Sequence, residues 1–242
     1  SGMTAPPQVT SFFRPEINLN SGARVANTTT GQQAETHSSG MSVFDSRGAQ
    51  HDLTLLFTPI DTGTDGVADQ WSYEVRIPSA DMAAPTGTNG YDVLASGTMT
   101  FDGAGQLSAP TANIDITIPG FANGANGQNV EWRLFDNNSK PVITGYAAVS
   151  ANTGLTQDGY GMGRLRALAI DNDGVISGVF TNGQSLELSQ LAVATFNNPS
   201  GLFKFGQNGY SASIGSGPAV LGPANTGGRG TVASRALELS NV

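Results

Sequence analysis

Trp71-Ser72-Tyr73-Glu74-Val75-Arg76-Ile77 carries an apolar side chain at every odd position and a polar or charged one at every even position. Successive side chains of a strand point to opposite faces, so this period of two predicts a β-strand with one buried and one wet face. Ile114-Asp115-Ile116-Thr117-Ile118 and Val130-Glu131-Trp132-Arg133-Leu134-Phe135 repeat the pattern with β-branched and aromatic residues suited to a pleated surface. Further strands are expected at Pro15–Leu19, Met41–Asp45, Leu53–Phe57, Leu165–Ile170, Val175–Phe180 and Leu188–Ala194. No stretch of about 12 residues holds a clean i, i+3, i+4, i+7 apolar stripe, and Gly or Pro interrupts most candidates. The expectation is an all-β protein of two β-rich domains with at most one or two short helical turns.

A local pattern recurs between the strands. Phe44-Asp45-Ser46-Arg47-Gly48, Phe101-Asp102-Gly103-Ala104-Gly105 and Ile170-Asp171-Asn172-Asp173-Gly174 share the form apolar, Asp, two residues, Gly; Phe135-Asp136-Asn137-Asn138-Ser139 is a looser version. The Asp carboxylate can cap the turn and the Gly supplies positive φ, so the pattern predicts hairpin tips. The Asn-Gly pairs at Asn182 and Asn208 are further hairpin signals.

Composition narrows the function. The chain has 242 residues, 32 of them glycine, without the three-residue period of collagen. With 11 basic against 19 acidic residues, net -8, it is a poor partner for nucleic acid or an anionic membrane surface. No apolar run is long enough for a membrane-spanning helix, so no membrane insertion is expected. The first residues, Ser1 to Pro7, lack the basic and apolar regions of a signal peptide. There is no cysteine, which removes disulfides, thiolate zinc sites and cysteine nucleophiles together.

The search for reactive groups returns little. His37 and His51 are the only histidines, and neither adjoins a nucleophile-elbow sequence or forms a His-x-x-x-His pair. Asp61 to Asp69 imitates a calcium loop but lacks an oxygen ligand at its third position and a Glu at its twelfth, where Ser72 stands; it reads as a solvated loop. Gly159-Tyr160-Gly161-Met162-Gly163 and Thr226-Gly227-Gly228-Arg229-Gly230 lack the Lys of a phosphate loop and read as turns. Asn27-Thr28-Thr29 and Asn137-Asn138-Ser139 match the glycosylation triplet, as short sequences often do by chance. Trp71 and Trp132 would be an exposed platform in a carbohydrate-binding or adhesive β-sandwich, but their period-two placement reads as core. No catalytic residue, metal ligand or cofactor is assigned, and no enzyme activity is expected.

The carboxy-terminal half resembles bacterial flagellar hook proteins. The residues that carry the resemblance run from Asp158-Gly159-Tyr160 through the turn at Gly174 to Phe196-Asn197-Asn198-Pro199-Ser200-Gly201-Leu202. They continue with Gly227-Gly228-Arg229-Gly230 and close with Leu237-Glu238-Leu239-Ser240-Asn241. Upstream, Asp45 to Gly48 with Ala49 to Leu53 is similar to the start of that family's outer domain. The resemblance implies a D2-like outer β-domain at 24–153 and a partial D1-like middle domain at 1–23 plus 154–242. Hook proteins carry helical regions at both ends, so the chain is identified as a core fragment lacking both and expected to be monomeric alone. The implied role is structural: a subunit of the extracellular hook, the tubular universal joint that passes torque from rod to filament. Its implied partners are other copies in a helical tube and the hook cap, rod and hook–filament junction proteins, after export without a cleavable signal. A distal rod protein is the nearest alternative.

Overall fold

A computed structural model describes residues 2–63, 68, 70–206 and 209–234. The described chain is built from strands, with two 3-10 turns at Ser79–Asp81 and Pro199–Gly201 as its helical elements. It divides into a larger compact unit, residues 6–162, and a smaller one, residues 1–5 with 163–242. The expected breaks near 23 and 153 do not coincide with this division, because the strand around Pro15–Leu19 and its partner at Ala151–Gln157 both pair inside the larger unit.

In chain order, β1 (Thr4–Ala5) belongs to the smaller unit. The larger unit holds β2 (Phe12–Asn18), β3 (His37–Phe44), β4 (Gln50–Ile60), β5 (Gln70–Pro78), β6 (Tyr91–Phe101), β7 (Leu107–Ala109), β8 (Ile114–Gly120), β9 (Asn126–Trp132), β10 (Ile143–Thr144) and β11 (Ala151–Gln157). Strands β3 to β7 form an antiparallel meander. The second sheet centres on β2, which pairs antiparallel with β11 along one side. Its other side is served first by β9 and then by β10, both parallel to it. Between those two the chain leaves for the Asp136 turn and returns.

The period of two is realised side chain by side chain. Trp71, Tyr73, Val75 and Ile77 are buried and the residues between them are not. Leu53, Leu55 and Phe57 on β4 alternate in the same way. Both sheets feed one apolar cluster, with Phe13 and Ile17 from β2, Ile116 and Ile118 from β8, and Val130 and Trp132 from β9. Trp132 lies at its centre, edge-on to Tyr73 at 5.2 Å and to Phe57 at 6.1 Å, and stacked with Phe13 at 6.1 Å. Burying side chains of this size contributes about 1.5–3 kcal/mol each.

The smaller unit continues with β12 (Gly163–Ile170), β13 (Val175–Phe180), β14 (Ser185–Gln190), β15 (Ala192–Thr195), β16 (Phe203–Gly206), β17 (Gly209–Ser211) and β18 (Val220–Pro223). β1, β12, β13 and β14 form one antiparallel sheet, and β15–β18 and β16–β17 form two ribbons. The expected strand at Leu188–Ala194 is therefore two, interrupted at Leu191. Residues 215–230, a stretch rich in Gly and Pro, contribute a strand of their own, β18, on a two-stranded ribbon where Pro223 removes no interior ladder bond.

Candidate functional site

The four Asp turns share one hydrogen-bond design. Asp45 Oδ1 accepts from the Arg47 and Ala49 amides at 2.8 and 2.9 Å, and Asp102 Oδ1 from Ala104 and Gln106 at 2.9 Å each. Asp136 Oδ1 accepts from Asn138 and Lys140 at 2.8 Å each, and Asp171 Oδ1 from Asp173 and Val175 at 2.9 and 2.8 Å. In each, the fourth residue takes positive φ: Gly48, Gly105, Ser139 and Gly174 at 80°, 73°, 61° and 77°. Ser139 holds with an L side chain a conformation the other three give to glycine. The Asn182-Gly183 signal is likewise a turn, with Gly183 at φ 81°.

Asp45, Gly48, Asp158, Gly159 and Tyr160 meet at one crossing in the larger unit. Thr10, fully buried, receives the Phe44 amide on its hydroxyl at 2.8 Å and donates its own amide to the Phe44 carbonyl at 3.0 Å. Asp158 Oδ1 accepts the Ser11 and Phe12 amides at 2.8 and 3.2 Å, and its Oδ2 accepts the Ser11 hydroxyl. Tyr160 and Gln8 exchange both backbone bonds, at 2.9 and 3.0 Å. A Cβ on Gly159 would lie 2.0 Å from Thr10 Oγ1, and one on Gly48 would lie 2.6 Å from Pro7 Cβ. The segment 159–163 is therefore not the expected turn: Tyr160 forms a bridge, Gly163 opens β12, and Gly159, without positive φ, is needed for close approach.

The second group lies in the smaller unit. Asn198 donates its amide to Ser216 O at 3.3 Å and its Nδ2 to Gly215 O at 3.2 Å, and Gly201 N returns to Asn198 O at 3.1 Å. A Cβ on Gly201 would meet the Gly215 carbonyl at 2.6 Å, Leu202 N donates to Pro199 O, and Gly217 lies beside Asn197 just after Phe196. Gly227 and Gly228 take φ of 56° and 78° in a turn closed by Asn225 N donating to Gly230 O. Arg229 clamps that turn: Nη1 donates to Thr226 O and Nη2 to Leu221 O, with the guanidinium lying over Gly222, where no side chain fits. The Gly174 turn joins it through Asn225 Nδ2 to Asp173 Oδ1 at 3.0 Å and Val232 N to Asn172 O at 3.0 Å. Leu237, Glu238, Ser240 and Asn241 lie outside the described residues.

Several carboxylates are held ionised by their surroundings. Burial pushes Asp45 up, but the Asn123 and His51 side chains and the Ala49 and Arg47 amides outweigh it and hold the group at about 2. Asp92, at the start of β6, accepts from the Ser79 hydroxyl, the Thr86 amide and hydroxyl and the Gly87 amide, which also holds it at about 2. Glu131 is lowered by Arg133 and Asn113, and Asp136 by the Lys140 and Asn138 amides. Asp92 was not singled out in the sequence; its one signal is a charged residue beginning a strand after a polar, Gly-containing loop.

These groups do not converge as a reaction centre would. His51 Nε2 donates to Asp45 Oδ2, 3.0 Å away, and Nδ1 faces the Asp81 carboxylate rather than a hydroxyl. His37 Nε2 is paired with Asn152 Oδ1 on the open side of β3. Asp61 caps its own loop through the Gly63 amide, and residues 64–67 and 69 of the calcium look-alike lie outside the described residues. A polar groove of about 650 Å³ is lined by Asn113, Glu131, Arg133 and Asp136, whose charges are already engaged with one another or with their own turn. Trp71 and Trp132 are 1% and 0% exposed, so neither is a sugar platform.

The described residues thus form an all-β module of two compact units, in which the marked residues among them tie turns and chain crossings. The chain belongs to the family described as Flagellar basal body protein FlaE D2 domain, which matches residues 18–160. It is 33% identical over 240 residues to the flagellar hook protein FlgE of Escherichia coli K12, a match covering 97% of this chain and 54% of that protein. The FlgE of Helicobacter pylori is 32% identical over 208 residues, covering 86% of this chain and 28% of that protein. The crystal structure of Helicobacter pylori flagellar hook protein FlgE2 matches 78% of this chain and 39% of that one with a TM-score of 0.50 and 21% identity, a likeness of fold. The chain spans between 28% and 54% of the length of these two FlgE relatives.

Proposed function

We propose that the chain is part of a structural subunit of the bacterial flagellar hook, outside the cell, and that it works by passing load rather than by catalysis. The observation that carries this reading is the family match over 18–160 together with 33% identity to a hook protein across nearly the whole chain. In this reading the larger unit is the outer domain, the smaller unit is part of the middle domain, and the partners are other copies in a helical tube. Cap, rod and junction proteins are its expected neighbours. Charge supports a sliding role: residues 6–162 hold 15 of the 19 acidic and 6 of the 11 basic residues, net -9, against +1 for the smaller unit. Like-charged outer units stay hydrated and do not lock through an apolar interface. The test is a chimera in which residues 18–160 replace the matching segment of the Escherichia coli hook protein. Hooks in electron micrographs and restored swimming are expected; a chimera that is exported and stable but yields no hook overturns the proposal.

A further inference from the structure

Asn89, Asn123, Asn126, Asn182 and Asn208 are each followed directly by glycine. In such a pair no side chain shields the glycine nitrogen, which can attack the Asn Cγ and expel its amide. Ring closure needs a glycine N–H free of hydrogen bonds, a carboxamide free to rotate, and access for water. Asn123 lacks the first two: its Nδ2 donates to Asp45 at 2.6 Å, its Oδ1 accepts the Ala125 amide at 2.9 Å, and Gly124 N donates to Phe121 O at 2.9 Å. Asn182 is held the same way, with its Oδ1 accepting the Gln184 amide at 3.2 Å and Gly183 N donating to Phe180 O at 3.1 Å. Asn126 opens β9 and pairs with Gly120 of β8, and the Gly127 backbone packs on the Pro119 carbonyl. The ladder there keeps the following amide extended and turned from the side chain. Asn208 lies outside the described residues.

Asn89 differs on every count. It and Gly90 are exposed, and among the described residues neither the Asn89 carboxamide nor the Gly90 N–H has a hydrogen-bond partner. Gly90 takes φ 83° with open space where a Cβ would lie. Its carbonyl accepts the Ser79 amide at 3.0 Å, which anchors the glycine and leaves its nitrogen free. We propose that Asn89 is a modification site, where the chain deamidates itself through a succinimide to aspartate and isoaspartate. The Gly90 nitrogen gives its proton to hydroxide and bonds to Asn89 Cγ. The Cγ–Nδ2 bond breaks, and ammonia leaves with a proton from water, which restores the hydroxide. Water then adds to either ring carbonyl and opens the ring, so one water is consumed for each ammonia released and nothing is oxidised. Either product adds a negative charge to the loop that Asp92 ties through Ser79, Thr86 and Gly87. Isoaspartate also routes the backbone through its β-carbon, which lengthens the chain between Gly87 and Gly90, both already pinned.

The test is incubation of the folded chain at about pH 8.5 and 37 °C, with peptides sampled over time by mass spectrometry for conversion of amide to acid. Isoaspartate is read by enzymatic methyl labelling. Conversion at Asn89 is expected to outrun that at Asn123, Asn126 and Asn182 by at least about tenfold, because each of those must first break native hydrogen bonds. It should accelerate as pH rises and disappear in Asn89→Gln, and the aged chain should show a lower Tm that Asn89→Gln prevents. In guanidinium chloride the four pairs should react at similar rates, since the fold and not the flanking sequence sets the ranking. An Asn89 that stays intact in the folded chain and reacts only in denaturant overturns the proposal. So does equal conversion of the four pairs in the folded chain, or an undiminished preference for Asn89 in denaturant.

Discussion

Gly159→Ala is the most informative single change at the crossing of residues 7–12, 44–49 and 157–162. The new methyl would lie 2.0 Å from Thr10 Oγ1 and 2.9 Å from Thr10 Cα, so moving the Thr10 rotamer alone does not relieve it. Forcing a methyl into a packed site costs about 1–3 kcal/mol. Displacing the Thr10 hydroxyl also leaves the Phe44 amide unpaired, at about 1–3 kcal/mol for a buried donor. Together they give about 2–6 kcal/mol, or roughly 4–24 °C in Tm for a unit of this size. Scanning calorimetry with urea unfolding followed by far-ultraviolet dichroism reads both quantities. Thr10→Ala completes the cycle: alone it destabilises through the Phe44 amide, and in the Gly159→Ala background it costs much less, because the clash has already broken that bond. A Gly159→Ala transition within about 2 °C of wild type, or two fully additive substitutions, would refute the reasoning.

Two further outcomes follow from the turns and carboxylates. Ser139→Gly relieves the positive φ at the Asp136 turn and should stabilise by up to about 1 kcal/mol, seen as a raised urea midpoint at unchanged slope; a lowered midpoint contradicts it. Asp45 and Asp92 are both depressed to about 2, so their contribution is full above the ordinary carboxylate value near 4 and is lost as pH falls toward 2. Acid unfolding should therefore fall mainly between about pH 4 and 2, and Asp92→Asn should flatten the pH dependence there; an unchanged profile in that variant argues against it.

What was legible follows from the range over which each signal acts. Alternation in β5 and the Asp turns are local, and residues 71–77, 45–48, 102–105 and 171–174 state them outright. Strand β6 was not read, because Ser96 and Gly97 break its alternation and Asp92 is buried at its start. The parallel pairing of β2 with β9 joins residues more than one hundred positions apart, so no period in the chain reveals it. The same distance hides the choice of sheet for Pro15–Leu19, and with it the edges of the larger unit. Gly159 was visible as a glycine and misread as a turn, since a residue chosen for a close neighbour and one chosen for positive φ look alike in sequence. Arg229 closes its turn through Thr226 and Leu221, a clamp the glycines around it conceal.

Both tryptophans of the chain, Trp71 and Trp132, are sealed in the core of residues 6–162, and the smaller unit contains none. Indole emission is therefore a private optical channel for one unit of a two-unit chain. Excited at the red edge of the indole band, the protein reports the opening of the larger unit while Tyr210, the tyrosine of the smaller unit, stays silent. That channel distinguishes opening of the larger unit from rearrangement in the smaller one without any added label.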